Sequence, residues 1–478
     1  MNKIMSSSIL LVIQKIAERS LGIISTLILA RILTPEDFGL VAKAMLVLWF
    51  VQSIAAAGTE SYILQKESVS DSDLNTAWTL NFILKILAYL VLLVLAVIYK
   101  LITEDYQVFL IICVLGFVLV INSFKNPGLL NFKRSQNYGK IVYISVLGKF
   151  AAVFIVVPAA LILQNHWAIV IGQFVLSVVG LVLSYVICDF RPRFCTENIR
   201  QQWEFSKWLI PQEMVGYFRN HIDTVVVGSK FTAGELGAYN NMKYFSSMPM
   251  LQLITPAAEP LHAELGKVQR NPGEMKFQVD FSTFVLAFMI APITIMLLFG
   301  SEQIIALILG QQWVPYHEIF AVLSLSTLPL VLISQANRLL MIRGKTNFIM
   351  FFEVAITVSI LCMVILFQFD QVQLLALVKV AVEFLFAIIY FAFAYRYSLN
   401  VNPSRPLMLF VYPTFIIGFV TFLASSYINE FQTGLLQLIF LACFISVFTF
   451  VLMFVHYFFA LKVRERILIR KILRISGD

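Results

Sequence analysis

Charged side chains are scarce in this chain of 478 residues. Lysine, arginine, aspartate and glutamate together make up 13% of it, whereas 60% of the residues are hydrophobic. Soluble domains carry about a quarter charged residues, and the mean hydropathy of this chain is +0.86. The composition therefore excludes an ordinary soluble protein and indicates an integral membrane protein.

Motifs that carry covalent chemistry are also missing. The sequence holds no GxxxxGK[ST] phosphate-binding loop, no HExxH zinc helix and no GxSxG nucleophile turn. Its five cysteines are scattered without paired spacing, which predicts neither a disulfide framework nor a metal site. These absences argue against an ATP-driven pump and against an enzyme, and they suggest no bound cofactor.

Long apolar runs dominate what is present. A helix of about 20 apolar residues crosses the ~30 Å hydrocarbon layer of a bilayer, and the runs lack the alternation of barrel strands. They predict an all-α polytopic protein of about 14 transmembrane helices, with twelve as the alternative. The predicted spans are residues 9–32, 39–64, 76–99, 107–131, 140–163, 166–188, 207–231, 236–261, 278–300, 315–341, 347–368, 371–395, 406–428 and 434–461.

Basic residues are distributed unevenly between the two predicted sides of the membrane. With a cytoplasmic N-terminus, 22 of the 35 lysines and arginines fall in tails and loops on that side, and Lys100 and Lys230 fall on the other. Cytoplasmic loops carry such an excess in membrane proteins. The net charge of +8 therefore indicates topology and contact with anionic lipid rather than nucleic-acid binding, and both termini are predicted to be cytoplasmic.

Two turn motifs recur along the chain. The segment TPEDFG at 34–39 matches TAGELG at 232–237, and LLNFKRSQNY at 129–138 matches LLMIRGKTNF at 339–348. Their offsets of 198 and 210 residues differ because residues 301–313 form an insertion, which we expect to be a short interfacial helix. Because both copies run outward from the cytoplasm, the repeat is parallel. The sequence predicts a six-helix lobe at 1–190, a basic connector at 191–206, a second six-helix lobe at 207–400, and two further helices with a basic tail at 401–478.

Eleven lysines and arginines remain inside the predicted spans. Each costs ~2.5–3.5 kcal/mol at the centre of a lipid-facing helix, so most of them need a protein interior or a hydrated cavity. Arg31, Lys125 and Arg338 lie near helix ends, where we expect them to extend to the membrane surface. The remaining eight are Lys15, Arg19, Lys43, Lys85, Lys149, Arg219, Lys243 and Lys379.

Polar residues form a stripe on the first helix of each predicted lobe, around Lys15 and Arg19 and around Glu213 and Asp223. We expect these stripes to face each other across a central cavity. The first lobe holds seven of the eleven cations, which favours an anionic ligand. Ion pairs remain the alternative for single residues, with suitable spacing for Lys15 and Glu18, Arg219 and Asp223, and Lys379 and Glu383.

These features together resemble a known family. The segment ILTPEDFGLVA after the first helix, the segment ILGQQWVP before the tenth and the basic connector are similar to the polysaccharide-transporter branch of the multidrug, oligosaccharidyl-lipid and polysaccharide exporter superfamily. Within that branch the chain resembles the Wzx-like exporters of lipid-linked repeat units and the colanic or teichuronic acid exporters. Fourteen helices instead of twelve depart from the family pattern and leave helices 13 and 14 without an implied role.

The resemblance implies a flippase of the bacterial cytoplasmic membrane. It would move an undecaprenyl-diphosphate-linked oligosaccharide to the outer leaflet by alternating access, with membrane lipids and other glycan-assembly proteins as partners. We expect a cationic cavity to attract the diphosphate and any acidic sugars, and a proton or sodium gradient to drive transport. The residues expected in the cavity are Lys15, Arg19, Lys43, Lys85, Lys149, Arg219 and Lys243, and those expected in ion coupling are Asp223, Glu353 and Glu383.

Two other classes of protein stay open on the sequence. One is a drug or cation antiporter of the same superfamily, which the excess of cations in the first lobe disfavours. The other is a non-transporting scaffold, or a polymerase, of a glycan pathway. A scaffold does not require charged stripes inside the membrane, so their presence disfavours it. A polymerase usually has a large outer loop, which this sequence lacks.

Overall fold

The computed structural model describes residues 2–55, 58–207, 209–367, 369–428 and 434–459. These residues are almost entirely helical, and no β-strand occurs among them. The all-α prediction is confirmed. Eleven segments of the described part are long and apolar enough to cross a membrane, so the count of fourteen spans stays a prediction.

The chain packs into two compact units, residues 1–238 and 239–478. The first unit contains ten complete helices and the start of an eleventh. They are α1 (Asn2–Ile32), α2 (Pro35–Ile54), α3 (Thr59–Gln65), α4 (Asp71–Thr103), α5 (Tyr106–Ser123), α6 (Leu129–Arg134), α7 (Tyr138–Leu163), α8 (Trp167–Ile187), α9 (Ile199–Ser206), α10 (Leu209–Lys230) and the beginning of α11 (Ala233–Pro249).

The second unit continues α11 through a π-helical turn, Met250–Ile254, and includes a 3₁₀ segment, Gln311–Tyr316. Its other helices are α12 (Thr255–Lys267), α13 (Pro272–Phe299), α14 (Ser301–Ile308), α15 (His317–Ser324), α16 (Thr327–Ile342), α17 (Thr346–Leu366), α18 (Val372–Leu399), α19 (Ser404–Ile428) and α20 (Gly434–Phe459). The short helix expected in the insertion at 301–313 is present as α14.

Several predicted spans are interrupted in the structure. The span predicted at 39–64 ends at Ile54 and resumes as α3, and the span at 107–131 ends at Ser123 before α6. The span at 236–261 contains the π-helical turn, and the span at 315–341 is divided between α15 and α16. Apolar composition alone does not reveal these breaks, because short helices and turns inside a membrane bundle are as apolar as the spans that flank them.

Capping boxes fix where two helices of the first unit begin. At α2 the Thr34 hydroxyl accepts from the Asp37 N–H while the Asp37 carboxylate accepts from the Thr34 N–H, and Pro35 occupies the first turn. At α4, Ser70 and Asp73 make the same reciprocal pair. Each box satisfies N–H groups that have no partner within the helix.

The predicted connector at 191–206 lies inside the first unit and is held by α4. The backbone N–H of Arg193 donates to Asn75 Oδ1 at 2.8 Å, and that of Cys195 donates to Thr79 Oγ1 at 3.0 Å. The unit boundary at 238/239 therefore falls after α10, whereas the sequence places the end of the first lobe at 190. The division into lobes related by a repeat stays a proposal.

Each unit has its own apolar core. In the first, α2, α4, α5 and α8 meet around Leu48, Leu92, Ile112 and Leu115. In the second, α13, α16 and α18 meet around Leu286, Leu332 and Phe391. Many large apolar residues on the outside of the bundles remain exposed, as expected for surfaces that face lipid.

Candidate functional site

Two adjoining cavities of about 410 and 430 Å³ lie within the first unit. They share six lining residues, and we call the combined space the lysine cavity. The shared residues are Thr59, Glu60, Asn81, Lys85, Asn122 and Lys125. The larger lining set draws on α3, α4, α6, α7 and α8 and on the end of α5.

Lys85 reaches the cavity from the middle of α4. Its Nζ donates to the backbone carbonyl of Asn122 at 3.2 Å. Because α5 ends at Ser123, that carbonyl belongs to the last turn, where carbonyl groups lack a partner within the helix. The negative end of the helix dipole lies there as well, so the end of α5 attracts the ammonium group and holds it inside the bundle.

Lys125 enters the same cavity just beyond the end of α5. A methyl group added to Gly180 on α8 would lie 3.4 Å from both Cε and Nζ of Lys125. Lys125 therefore packs beside Gly180, where a side chain larger than a methyl group would meet it. Lys125 lines both parts of the lysine cavity, and its expected extension to the membrane surface stays a prediction.

The balance of charge in the lysine cavity is positive. Glu60 forms an ion pair with Lys133, which also lines the larger cavity. Within the described part of the chain, no carboxylate lies within 4.0 Å of the ammonium nitrogen of Lys85 or Lys125. Two ammonium groups therefore remain without a carboxylate partner there.

Two buried polar atoms of the cavity wall also lack a protein partner. Trp78 is 7% exposed, and its Nε1 has no hydrogen-bond acceptor among the described residues. The Oδ1 atom of Asn122 likewise has no donor within the described chain. Both atoms are themselves buried, so they are unsatisfied polar groups beside the cavity and do not open onto it, which is unusual for buried polar groups in proteins.

A network of hydrogen bonds around Asp73 stabilises the side of the cavity near the start of α4. Asp73 is 2% exposed. Asp73 Oδ1 accepts from Lys66 Nζ at 2.7 Å and from Asn198 Nδ2 at 2.9 Å. The bond to Asp73 raises the pKa of the Lys66 ammonium above its usual value. Nearby, Arg134 donates to the Glu67 carbonyl at 2.9 Å. This network fixes α3, α6 and the connector against the start of α4.

Among the seven residues expected in a cationic cavity, only Lys85 lines the lysine cavity. Lys43 and Lys149 are half-buried on α2 and α7, Arg19 and Arg219 are exposed, and Lys243 belongs to the second unit. The side chain of Lys15 lies outside the described residues. A shared site for this larger set stays a prediction.

The residues expected in ion coupling have different surroundings. Asp223 is buried, and its Oδ1 accepts from the Thr224 N–H at 2.8 Å. Glu383 pairs with Lys379 at 3.0 Å, which confirms the ion pair expected from their spacing, and it accepts from the Ser326 hydroxyl at 2.8 Å. Glu353 is half-buried on α17.

Sequence reasoning missed a buried carboxylate in the second unit. Asp280 on α13 is fully buried and accepts from the Tyr395 hydroxyl at 2.8 Å. Lys276 lies 3.2 Å from its Oδ2, and Arg405 at the start of α19 lies 3.4 Å from the same atom. The spacing of Lys276 and Asp280 was a usable signal, whereas the contribution of Arg405 required the fold.

Sequence reasoning also missed Trp78, Asn81 and Asn122 in the lysine cavity. Trp78, Asn81 and Lys85 are spaced i, i+3 and i+7 on an otherwise apolar helix, which places them on one face. That stripe was a usable signal for a site on α4. Asn122 has no comparable pattern around it.

The fold is shared with solved structures of other membrane proteins. A structure described as the lipid II flippase MurJ in an inward closed conformation superposes with a TM-score of 0.69 at 13% identity, covering 93% of this chain and 99% of that one. At this identity the likeness concerns the fold alone. It is the fold of the multidrug, oligosaccharidyl-lipid and polysaccharide exporters.

The chain belongs to the polysaccharide biosynthesis protein family, whose model matches residues 28–318. It is 23% identical over 66% of its length to the succinoglycan biosynthesis transport protein ExoT of Rhizobium meliloti, and 21% identical over 64% of its length to the lipopolysaccharide biosynthesis protein WzxC of Escherichia coli. The alignments span 64% and 63% of these relatives, less than two thirds of their length. The chain is thus a multi-pass membrane protein of the polysaccharide biosynthesis protein family.

Proposed function

We propose that this protein moves an undecaprenyl-diphosphate-linked oligosaccharide from the cytoplasmic to the outer leaflet of a bacterial inner membrane by alternating access. The observation that carries the proposal is the pair Lys85 and Lys125 inside a membrane-spanning unit of a polysaccharide-transporter family. The fold that the chain shares with a lipid II flippase supports a lipid-linked substrate.

The energetics of the two lysines support a role in transport. Burying an ammonium group without a carboxylate is unfavourable, and the end of α5 offsets only part of that cost. The positive potential that remains attracts an anion, and the attraction is stronger in a cavity of low dielectric constant than in water. A substrate with a negatively charged head group has this chemistry, whereas a cationic drug would be repelled.

The other charged residues expected from the sequence have two roles in this proposal: they guide the substrate to and from the lysine cavity, and they bind the coupling ion. In it, Lys15, Arg19 and Lys43 attract the anionic head group, and the carboxylates of Glu353 and Glu383 bind a coupling proton or sodium ion. The further members are Lys149, Arg219 and Lys243 for the substrate and Asp223 for the ion. Cytoplasmic termini and contacts with other glycan-assembly proteins belong to the same proposal.

Deleting the protein in its own bacterium tests this function. We expect the lipid-linked oligosaccharide to accumulate on the inner leaflet and export to recover with the wild-type protein. Lys85→Gln and Lys125→Gln should each reduce export, and the double variant should abolish it. Lys100→Gln is the matched control, because Lys100 lies on the same helix as Lys85 but faces the rings of Tyr106 and Phe109.

The amount of each variant in the membrane must equal that of the wild type. Normal export by the double variant would remove the role of the two lysines. A deletion strain that accumulates no lipid-linked glycan but becomes sensitive to cationic drugs would replace the flippase with a drug antiporter.

A further inference from the structure

The hydrogen-bond pattern of one helical run changes in its middle. Between α11 and α12, residues Met250–Ile254 form a π-helical turn. The Thr255 N–H donates to the Met250 carbonyl, five residues earlier, and the Thr255 hydroxyl donates to the same oxygen at 2.9 Å. An α-helix makes this bond over four residues, so the turn contains one residue more than a regular helix needs.

Three prolines flank the turn and weaken the helix on either side of it. Pro249 is the last residue of α11, and Pro256 and Pro260 lie in the first two turns of α12. Proline lacks the N–H that a helical residue donates to the carbonyl four positions earlier. Sharp bends in helices occur at prolines and at π-helical turns, and this segment combines both.

The start of α11 is fixed by close packing. Gly237 has no space for a side chain, since a methyl group there would lie 2.0 Å from the carbonyl oxygen of Pro35. Leu236, Tyr239 and Met242 are fully buried. Because packed interiors hold few voids, this end of the helix cannot tilt without breaking the contacts that surround it.

The other end of the run, α12, is tied to the second unit by a buried chain of hydrogen bonds. His262 Nε2 on α12 and Gln335 Oε1 on α16 lie 3.1 Å apart, and Gln335 Nε2 donates to Ser282 Oγ on α13 at 2.6 Å. All three side chains are buried, and Leu265 of α12 packs in the apolar core beside them. Buried polar chains rigidify the elements that they join, so α12, α13 and α16 are expected to move together.

The turn between these two fixed ends is packed on one side only. Met250 and Ile254 are buried, whereas Leu251 is 44% and Leu253 is 51% exposed. A hinge in a protein is a short segment whose backbone angles change while its neighbours move as rigid bodies. The π-helical turn meets this description, because it interrupts a helical run whose two ends are held separately.

We propose that the π-helical turn Met250–Ile254 is a hinge of the transport cycle, at which α12 bends against α11 and carries α13 and α16 with it. The inference rests on the proposed function, because alternating access requires helices to move. It assigns part of that movement to residues outside the lysine cavity. The Thr255 hydroxyl stabilises the π form by its bond to the Met250 carbonyl, and the prolines keep the regular α form from replacing it.

Deleting Leu253 removes the extra residue and tests the hinge. The turn can then close with bonds over four residues, so α11 and α12 join as one regular helix whose register beyond the turn is unchanged. In cells that lack the wild-type protein, we expect export by this variant to be roughly tenfold or more below that of the wild type, because the bent state becomes rare. The thermal unfolding midpoint should stay level or rise. Leu253→Ala is the matched control, since it keeps the number of residues and should export normally.

Spin labels measure the bend directly. Tyr244→Cys on α11 and Glu264→Cys on α12 change two exposed positions, one on each side of the turn and about 30 Å apart along the helix. The background lacks the five native cysteines and must still restore export. In lipid nanodiscs we expect two distances or one broad distribution for the wild-type turn, with a shift in balance when undecaprenyl diphosphate is added. The variant without Leu253 should give one narrow distance.

If the variant without Leu253 does not insert into the membrane, Pro256→Ala replaces it, because alanine returns an N–H to the helix and favours the α form. Three results would overturn the inference. They are a single narrow distance for the wild type that undecaprenyl diphosphate leaves unchanged, a broad distribution that persists in the variant, and normal export by a variant whose helix is rigid. Each of these leaves the proposed function standing, which is rejected separately if cells without the protein accumulate no lipid-linked glycan.

Discussion

Gly39 on α2 and Gly237 on α11 lie against each other with no space for a side chain on either. A methyl group added to Gly39 would lie 1.6 Å from the carbonyl oxygen of Ala233, and one added to Gly237 would lie 2.0 Å from that of Pro35. Pro35 and Ala233 hold equivalent places in the two turn motifs. The contact is therefore reciprocal, as between two surfaces related by a two-fold axis.

Replacing either glycine should separate the two helices. Gly39→Ala or Gly237→Ala places a methyl group inside the van der Waals radius of backbone atoms, which cannot move away as a side chain could. We expect a loss of about 1–3 kcal/mol or more in the free energy of unfolding, measured by thermal unfolding in detergent, together with reduced export.

Gly266→Ala is the control for these variants. Nothing lies within 4 Å of the added methyl group at that position on α12, so alanine should leave stability unchanged or raise it slightly. An equal loss of stability in all three variants would show that close packing is not the cause.

Asp37 should contribute more to stability than its equivalent in the second motif, Glu235. Both carboxylates accept from the threonine that caps their helix, at 3.0 Å from its N–H. Asp37 also accepts from the N–H of the buried His166 at 2.9 Å. Asp37→Ala leaves that buried donor unpaired, so it should cost about 1–3 kcal/mol more than Glu235→Ala. Thermal unfolding of the two variants side by side measures the difference, and equal losses would contradict it.

Gly180 should tolerate a small side chain and no larger one. A methyl group there would make ordinary contact with Lys125 at 3.4 Å, whereas the branched chain of leucine would displace the ammonium group from the lysine cavity. We expect Gly180→Ala to export normally and Gly180→Leu to lose roughly tenfold in export, at equal amounts of protein in the membrane. Normal export by Gly180→Leu would show that Lys125 is not needed in its present place.

Asp280 should be among the residues most important for the stability of the second unit. Asp280→Asn removes the buried carboxylate that accepts from Tyr395 and pairs with Lys276 and Arg405. Breaking a buried ion pair in this way costs about 3–5 kcal/mol, and the thermal unfolding midpoint should fall accordingly.

The control for Asp280 is Glu264→Gln. Glu264 and Lys267 form an exposed pair on α12, and exposed pairs contribute about 0–1 kcal/mol. Similar midpoints for the two variants would mean that solvent reaches Asp280 and screens it.

Apolar runs were sufficient to predict the helices because hydrocarbon allows few other structures. Each predicted span contains a helix in the structure. The breaks at Ile54 and Ser123 were not predictable, since they depend on what packs beside them. The break after Ser123 also places Lys125 just beyond a helix end, where its side chain packs beside Gly180 on α8.

The candidate site was predictable in part for a similar reason. Lys85 stands out because a cation in the middle of a long apolar helix needs a polar environment. The residues that complete its surroundings come from α5 and from the turn after it. No pattern in the sequence predicts that the end of α5 packs against Lys85. The long-range pair of Asp280 and Arg405 was hidden in the same way, across 125 positions of the chain.

The bonds that hold the connector to α4 determine where this chain can be divided for expression as two fragments. A cut between Arg193 and Cys195 would fall between two backbone amides that are bound to Asn75 and Thr79 on α4. Both new chain ends would then lie at these hydrogen bonds, and the cut would disturb the packing of the connector on α4. A cut between Val401 and Asn402 falls in an exposed turn, where the Ser404 N–H donates locally to Asn402 Oδ1. Fragments ending at that turn should reassemble when they are made together, and they offer a way to label α19 and α20 separately from the rest.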